Sequence, residues 1–191
     1  MRIDFTGLSE SDGDFGDSNS STPIDDILAA NKLLQEHYQL PAIFIAHSMG
    51  ETASYAAANQ LSNIKAIISI ASLSSPSHVL HHFGDALKHI NSGNDFEFHV
   101  AGKSYPIKPQ FLSDLKNHDL DTTTHNLKKA VLIFHGENDQ LVNIEHAEKI
   151  FATAQQPKSF VSLDTADHVL SDKKDASYVA EVIYSWVQRY I

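Results

Sequence analysis

The 191-residue chain contains no cysteine, which excludes disulfides, thiolate metal sites and a cysteine nucleophile. Basic residues are scarce, with 14 Lys and Arg against 24 Asp and Glu and a formal net charge of -10. That balance argues against nucleic acid or an anionic membrane surface as a partner. Long apolar runs are missing, so no membrane-spanning segment is expected. No apolar stretch of signal-peptide type follows Met1 to Phe5, and a cytoplasmic location is the expectation. Repeats and low-complexity tracts are lacking as well. What is present is ordinary: 42% hydrophobic and 20% charged residues, enough to bury the core of one α/β domain spanning residues 1–191.

The order of elements follows from periodicity and punctuation. Residues 1–5 read as the end of a short strand, followed by a polar loop rich in Ser, Asp and Gly to residue 23. Thr22 is a fitting N-cap and Pro23 a fitting first helical residue. Asp25 and Asp26 complement the dipole of a helix reaching about Tyr38. Strands are expected at 42–46, 64–71, 130–135 and 159–163, and helices at 49–60, 143–154 and 175–190. Alternating strands and helices imply a mostly parallel sheet with helices on both faces. Residues 72–127 interrupt this rhythm with a His-rich helix (76–90), a hairpin around Gly102 and a helix at 109–118. An insertion of this kind between sheet strands is expected to form a small cap within the same domain.

The chemistry centres on Ala46-His47-Ser48-Met49-Gly50. An apolar strand ends there in a serine among small residues, and a helix follows, which is the layout of a nucleophile elbow with Ala46 at the first glycine position. A serine hydroxyl needs a base, and the base needs an orienting acid. Asp139 follows the strand at 130–135, and His168 follows the strand at 159–163. All three lie beyond the C-terminal ends of expected parallel strands, the edge where open α/β sheets bind ligands. The chain order Ser, Asp, His belongs to one hydrolase architecture.

With those residues in place, the chain resembles an α/β-hydrolase, and more narrowly the small hydrolases found alone or fused to an OsmC-like domain. Four segments carry the resemblance over nearly the whole chain: 4–11, 46–50, 135–139 and 157–168. It implies Ser48 as nucleophile, Asp139 as acid, His168 as base and Met49 N–H as an oxyanion donor. It implies acyl transfer to water through an acyl-enzyme, without metal or other cofactor. Small, short-chain carboxylic esters are the expected substrates.

Two departures stand out. The elbow usually reads Gly-His-Ser-x-Gly-Gly, and here its outer positions are Ala46 and Glu51. Such relatives also carry several strands and a helix before the segment that starts here at Arg2. Those elements include the loop that supplies a second oxyanion donor. The loop after Phe5 and a partner chain are the candidate replacements. The same shortening leaves a sheet edge open beside residues 42–46, so a homodimer covering it is expected.

Other readings compete at each position. Ser48 could be a turn serine and Asp139 a helix N-cap, a role for which Asn143 also competes; Glu137 is the second candidate acid. His78, His81 and His82 share a helix face, which the spacing leaves without a carboxylate partner for a metal. Phe83, Phe96, Phe98, Tyr105 and Phe111 suit either an acyl pocket or the interior of the cap. The acidic loop 10–17 lacks the terminal Glu of a calcium loop. At the level of function, the rivals are a non-catalytic relative that binds without turnover and a hydrolase of another acyl bond (thioester, amide or carbon–carbon).

Overall fold

A computed structural model describes residues 1–75, 96–100, 103–115 and 119–191. Its strands are β1 (Ile43–His47), β2 (Ala66–Ile70), β3 (Phe96–Val100), β4 (Lys103–Ile107), β5 (Ala130–His135) and β6 (Lys158–Ser162). The helices are α1 (Thr22–His37), α2 (Gly50–Gln60), α3 (Pro109–Leu115), α4 (Leu120–Asn126), α5 (Glu145–Thr153) and α6 (Lys173–Val187), with a 3-10 turn at Phe15–Asp17. Four strands form a parallel sheet in the order β1-β2-β5-β6. In its register Ile45 faces Ile68, and Ile68 faces Leu132.

The two faces follow from the period of two along a strand. Val131 and Ile133 point to a core with Tyr55, Ile67 and Ile150. Leu132 and Phe134 point to the opposite core, with Ile68, Val179 and the partly buried Trp186. Every residue of β2 and β5 is buried, as expected of central parallel strands covered on both faces. A third cluster, with Ile24, Ile27, Ala53 and Ala57, joins α1 to α2, whose small side chains permit close approach. β3 and β4 form a separate antiparallel hairpin, and with α3 and α4 they fall between β2 and β5 in the chain. Among the described residues, no helix is long and apolar enough to cross a membrane.

Several expectations need correction. Residues 1–5 form no strand; Ile3 and Phe5 instead pack against the α1–α2 cluster as irregular chain. Thr22 is the first helical residue and not the N-cap, which is Ser21. Asn19 Oδ1 accepts from the N–H groups of both Ser21 and Thr22, while the N–H groups of Ile24 and Asp25 donate to Ser21 O. The helix expected at 109–118 is observed over Pro109–Leu115, and residues 116–118 lie outside the described residues. Helix α4 was not anticipated; Asp119 caps it by accepting from Thr122 N–H at 3.0 Å. The His-rich segment 76–90, with His78, His81, His82 and Phe83, lies outside the described residues.

Candidate active site

Strand β1 ends at His47, and Ser48 turns the chain into α2 with a left-handed φ of 52°. A non-glycine residue there costs roughly 1–3 kcal/mol of local strain, sustained only where the surroundings over-determine it. The Ser48 N–H donates to Ile70 O at 3.0 Å, tying the turn to the end of β2. Ala46 is buried, so the methyl group at the first glycine position is accommodated. A side chain at Gly50 would meet Phe5 no closer than 3.6 Å, an ordinary contact.

The loop after β5 holds Asp139 at 4% exposure, while Glu137 is exposed. Asp139 Oδ1 accepts from the N–H groups of Leu141 and Val142, both at 2.9 Å. Its Oδ2 lies 2.7 Å from His168 Nδ1. A carboxylate only accepts, so Nδ1 carries the hydrogen and Nε2 is free to accept. Nε2 lies 3.0 Å from Ser48 Oγ. Strands β1, β5 and β6 thus deliver one group each to a continuous Ser48–His168–Asp139 chain. Neither Asp139 nor Asn143 caps α5; its N-cap residue is Ile144, without a side-chain cap bond.

Three supporting residues were not singled out from sequence. Gly136 lies under Ala166, whose carbonyl oxygen would sit 2.1 Å from any Cβ placed there. Only glycine lets the acid loop and the base loop approach so closely, and Glu137 N–H joins them by donating to Asp164 O at 2.9 Å. His47 donates from Nε2 to the carbonyl oxygen of His168 at 2.7 Å, linking the elbow to the base loop. Burial is the main influence on His47 and lowers its pKa, favouring the neutral ring. His135 is fully buried and donates from Nε2 to Val142 O at 2.7 Å, bracing the loop that holds Asp139. A signal for Gly136 was present in its position directly after β5; the roles of the two histidines depend on contacts that no spacing encodes.

The candidate oxyanion donors differ in their availability. Among the described residues no hydrogen bond occupies the Met49 N–H at the start of α2. The loop after Phe5 does not supply a second donor through its first amides. Thr6 N–H donates to Asp26 Oδ2 at 2.8 Å, Gly7 N–H to Asp12 O at 3.0 Å and Leu8 N–H to Phe5 O at 2.9 Å. Beside Met49 lies an apolar cavity of about 60 Å³ whose lining includes Phe5, Leu8, Phe15, Leu73 and Phe111. Of the aromatic candidates, Phe111 reaches it; Tyr105 instead stacks edge-on against Phe15, with ring centroids 5.3 Å apart. Among the described residues, no group of three or more His, Asp or Glu is placed to hold a metal ion.

No family model and no curated protein matches the sequence. Solved structures do. The esterase domain of a Rhodothermus marinus protein is 35% identical, with a TM-score of 0.77, and the match covers 99% of this chain and 73% of that one. Alpha/beta hydrolase domain-containing protein 10 from mouse shares 19% identity with a TM-score of 0.80, over 97% of this chain and 76% of its own. Est1E from Butyrivibrio proteoclasticus, with ferulic acid bound, shares 20% identity with a TM-score of 0.77, over 98% and 75%. The last two show the fold. The first, with its identity over nearly the whole chain, shows the family: this chain belongs to the α/β-hydrolases.

Proposed function

We propose that the protein is a serine hydrolase of carboxylesterase type, acting on short-chain esters. One observation carries the reading: the hydrogen-bonded chain from Ser48 Oγ through His168 to Asp139 at the C-terminal edge of the parallel sheet. Its similarity to an esterase domain supports the choice of bond.

Ser48 Oγ attacks the ester carbonyl while His168 Nε2 takes its proton. Asp139 holds the tautomer and stabilises the imidazolium. The negative charge of the tetrahedral intermediate falls on the carbonyl oxygen, where Met49 N–H donates to it. Collapse breaks the bond to the leaving oxygen, which takes the proton from His168, and an acyl group remains on Ser48. Water, deprotonated by His168, repeats the addition and releases the acid, restoring Ser48. No cofactor enters either half.

Acyl length follows from space. The apolar cavity beside Met49 is small, at about 60 Å³, which supports a short acyl group. Leu73 and Phe111, from the described part of the segment between β2 and β5, line this pocket, which supports reading that segment as a cap. The engaged amides of Thr6, Gly7 and Leu8 favour a second reading, a relative that binds esters without turning them over.

The purified chain, offered p-nitrophenyl esters from acetate to octanoate, decides between them. Hydrolysis falling with acyl length, together with fluorophosphonate labelling that vanishes in Ser48→Ala, is expected. A folded protein that neither labels nor turns over acetate would establish the binding reading.

A further inference from the structure

Glu51 stands in the first turn of α2, three residues after Ser48, and the proposed reaction does not use it. It is fully buried, and neither carboxyl oxygen reaches hydrogen-bond geometry with a partner. Three hydroxyls surround it: Tyr55 one turn along α2, Ser69 in β2 and Ser72 just beyond β2. They lie close enough to offset part of the effect of burial, though outside the geometry of a formed bond. Within the cluster, Tyr55 OH and Ser69 Oγ are 2.9 Å apart, and the Ser72 hydroxyl donates to Ile70 O at 3.3 Å. That same Ile70 carbonyl accepts the N–H of Ser48. The cluster also adjoins Ala71, another left-handed residue, with a φ of 51°. Two strained residues and a buried acid therefore meet where β2 braces the elbow.

Resting on the reading of Ser48 as nucleophile, we propose that Glu51 is a positioning residue. Through the Tyr55, Ser69 and Ser72 hydroxyls it holds the elbow against the end of β2 while its carboxyl group is neutral, and it loosens the elbow on ionising. A neutral acid can donate to one hydroxyl and accept from the others, and its burial leaves no charge unpaired. A carboxylate in the same place is a buried charge without a cation, which draws the hydroxyls or water toward it.

The pH range follows from the surroundings. Burial pushes Glu51 up to about 7, against 4.5 for a free side chain. The facing groups are Tyr55 of its own helix, itself shifted upward chiefly by burial, and the two serines. Asp26 of α1, His47 of β1 and His125 of α4 sit on the other elements packed against α2, and none is a principal influence on Glu51. Between 4.5 and 7 the folded chain holds a proton that the unfolded chain has released. Folding stability from this group therefore falls as pH rises through that window.

The test compares wild type with Glu51→Gln, which keeps the shape of the neutral acid. For p-nitrophenyl acetate, wild-type kcat should fall above pH 7, approaching tenfold per pH unit for one ionisation, with KM little changed. In Glu51→Gln that alkaline limb should vanish, while kcat at pH 6 stays within about threefold of wild type. A limb that persists in Glu51→Gln, or a wild-type plateau through pH 9, overturns the proposal. If no ester is cleaved at any pH, the esterase reading fails, and hydrogen exchange at the Ser48 amide decides this one. Its protection should drop above pH 7 in wild type and hold in Glu51→Gln; equal protection in both overturns it.

Discussion

Strands β1 and β5 lie two positions apart in one sheet and end at the same site, yet they are built on opposite terms. β5 is buried at all six positions, pairs on both sides and leads to Asp139. β1 pairs with β2 alone among the described residues, buries only Ala46 and leads to Ser48. Ile45 at its centre is 60% exposed. The acid is thus positioned by a fully enclosed strand and the proposed nucleophile by a half-exposed edge strand. What β1 lacks in packing is replaced at its end by cross-links: Ser48 N–H to Ile70 O, and His47 to the carbonyl of His168. Precision at a site needs fixed ends more than buried lengths.

The largest expected effect removes chemistry from either strand end. Ser48→Ala should lower kcat by about 10⁶-fold, as removal of a serine nucleophile does. Asp139→Asn should lower it by about 10⁴-fold. Its Oδ1 can still accept from Leu141 and Val142, but an amide nitrogen facing His168 Nδ1 forces the wrong tautomer. Both proteins should keep wild-type circular dichroism. A drop smaller than tenfold in either would sever that strand end from catalysis.

Legibility from sequence divides along the same line. Ser48, Asp139 and His168 could be read because each follows a short apolar strand, and strand ends determine where a side chain arrives. The expected strand at 1–5 failed because Ile3 and Phe5 carry an alternating pattern that serves equally well for irregular chain lying on α1 and α2. Helix α4 was hidden because Leu120-Asp121-Thr122-Thr123-Thr124-His125-Asn126 is poor in helix formers. Its stability comes instead from the Asp119 cap and from burial of Leu120 and Thr124. Gly136 follows β5 directly, which marks a loop, but its necessity arises from Ala166, thirty positions away in the chain, whose carbonyl oxygen lies 2.1 Å from a hypothetical Cβ. Contacts of that kind have no local signature.

A stability pair sharpens the contrast between the strands. Ile133→Ala, in the middle of β5 and fully buried, should cost about 2–5 kcal/mol by leaving a cavity. Ile45→Ala in β1 should stay within about 0.5 kcal/mol, since the side chain is mostly in solvent. Urea unfolding monitored by Trp186 fluorescence measures both, with the slope m unchanged if each variant is two-state. Equal midpoint shifts would mean that β1 is covered in solution by something that the single chain does not contain.

That outcome leads to the smallest and most informative change, at the bare edge itself. We propose that a second copy of the chain covers β1. An antiparallel pair centred on Ile45 would set Phe44 opposite Ala46, large against small, and would satisfy the edge N–H and C=O groups that pair with no strand among the described residues. Ile45→Lys places a charge at the centre of such a pair, where like charges would meet directly across the two strands. In a monomer, Lys at this exposed position should leave the unfolding midpoint nearly unchanged, because its stem can lie along the surface with the ammonium in water. Sedimentation velocity at micromolar concentration should show a dimer for wild type and a monomer for Ile45→Lys. A wild-type monomer would end the proposal and leave β1 an exposed edge, guarded by its short five-residue length.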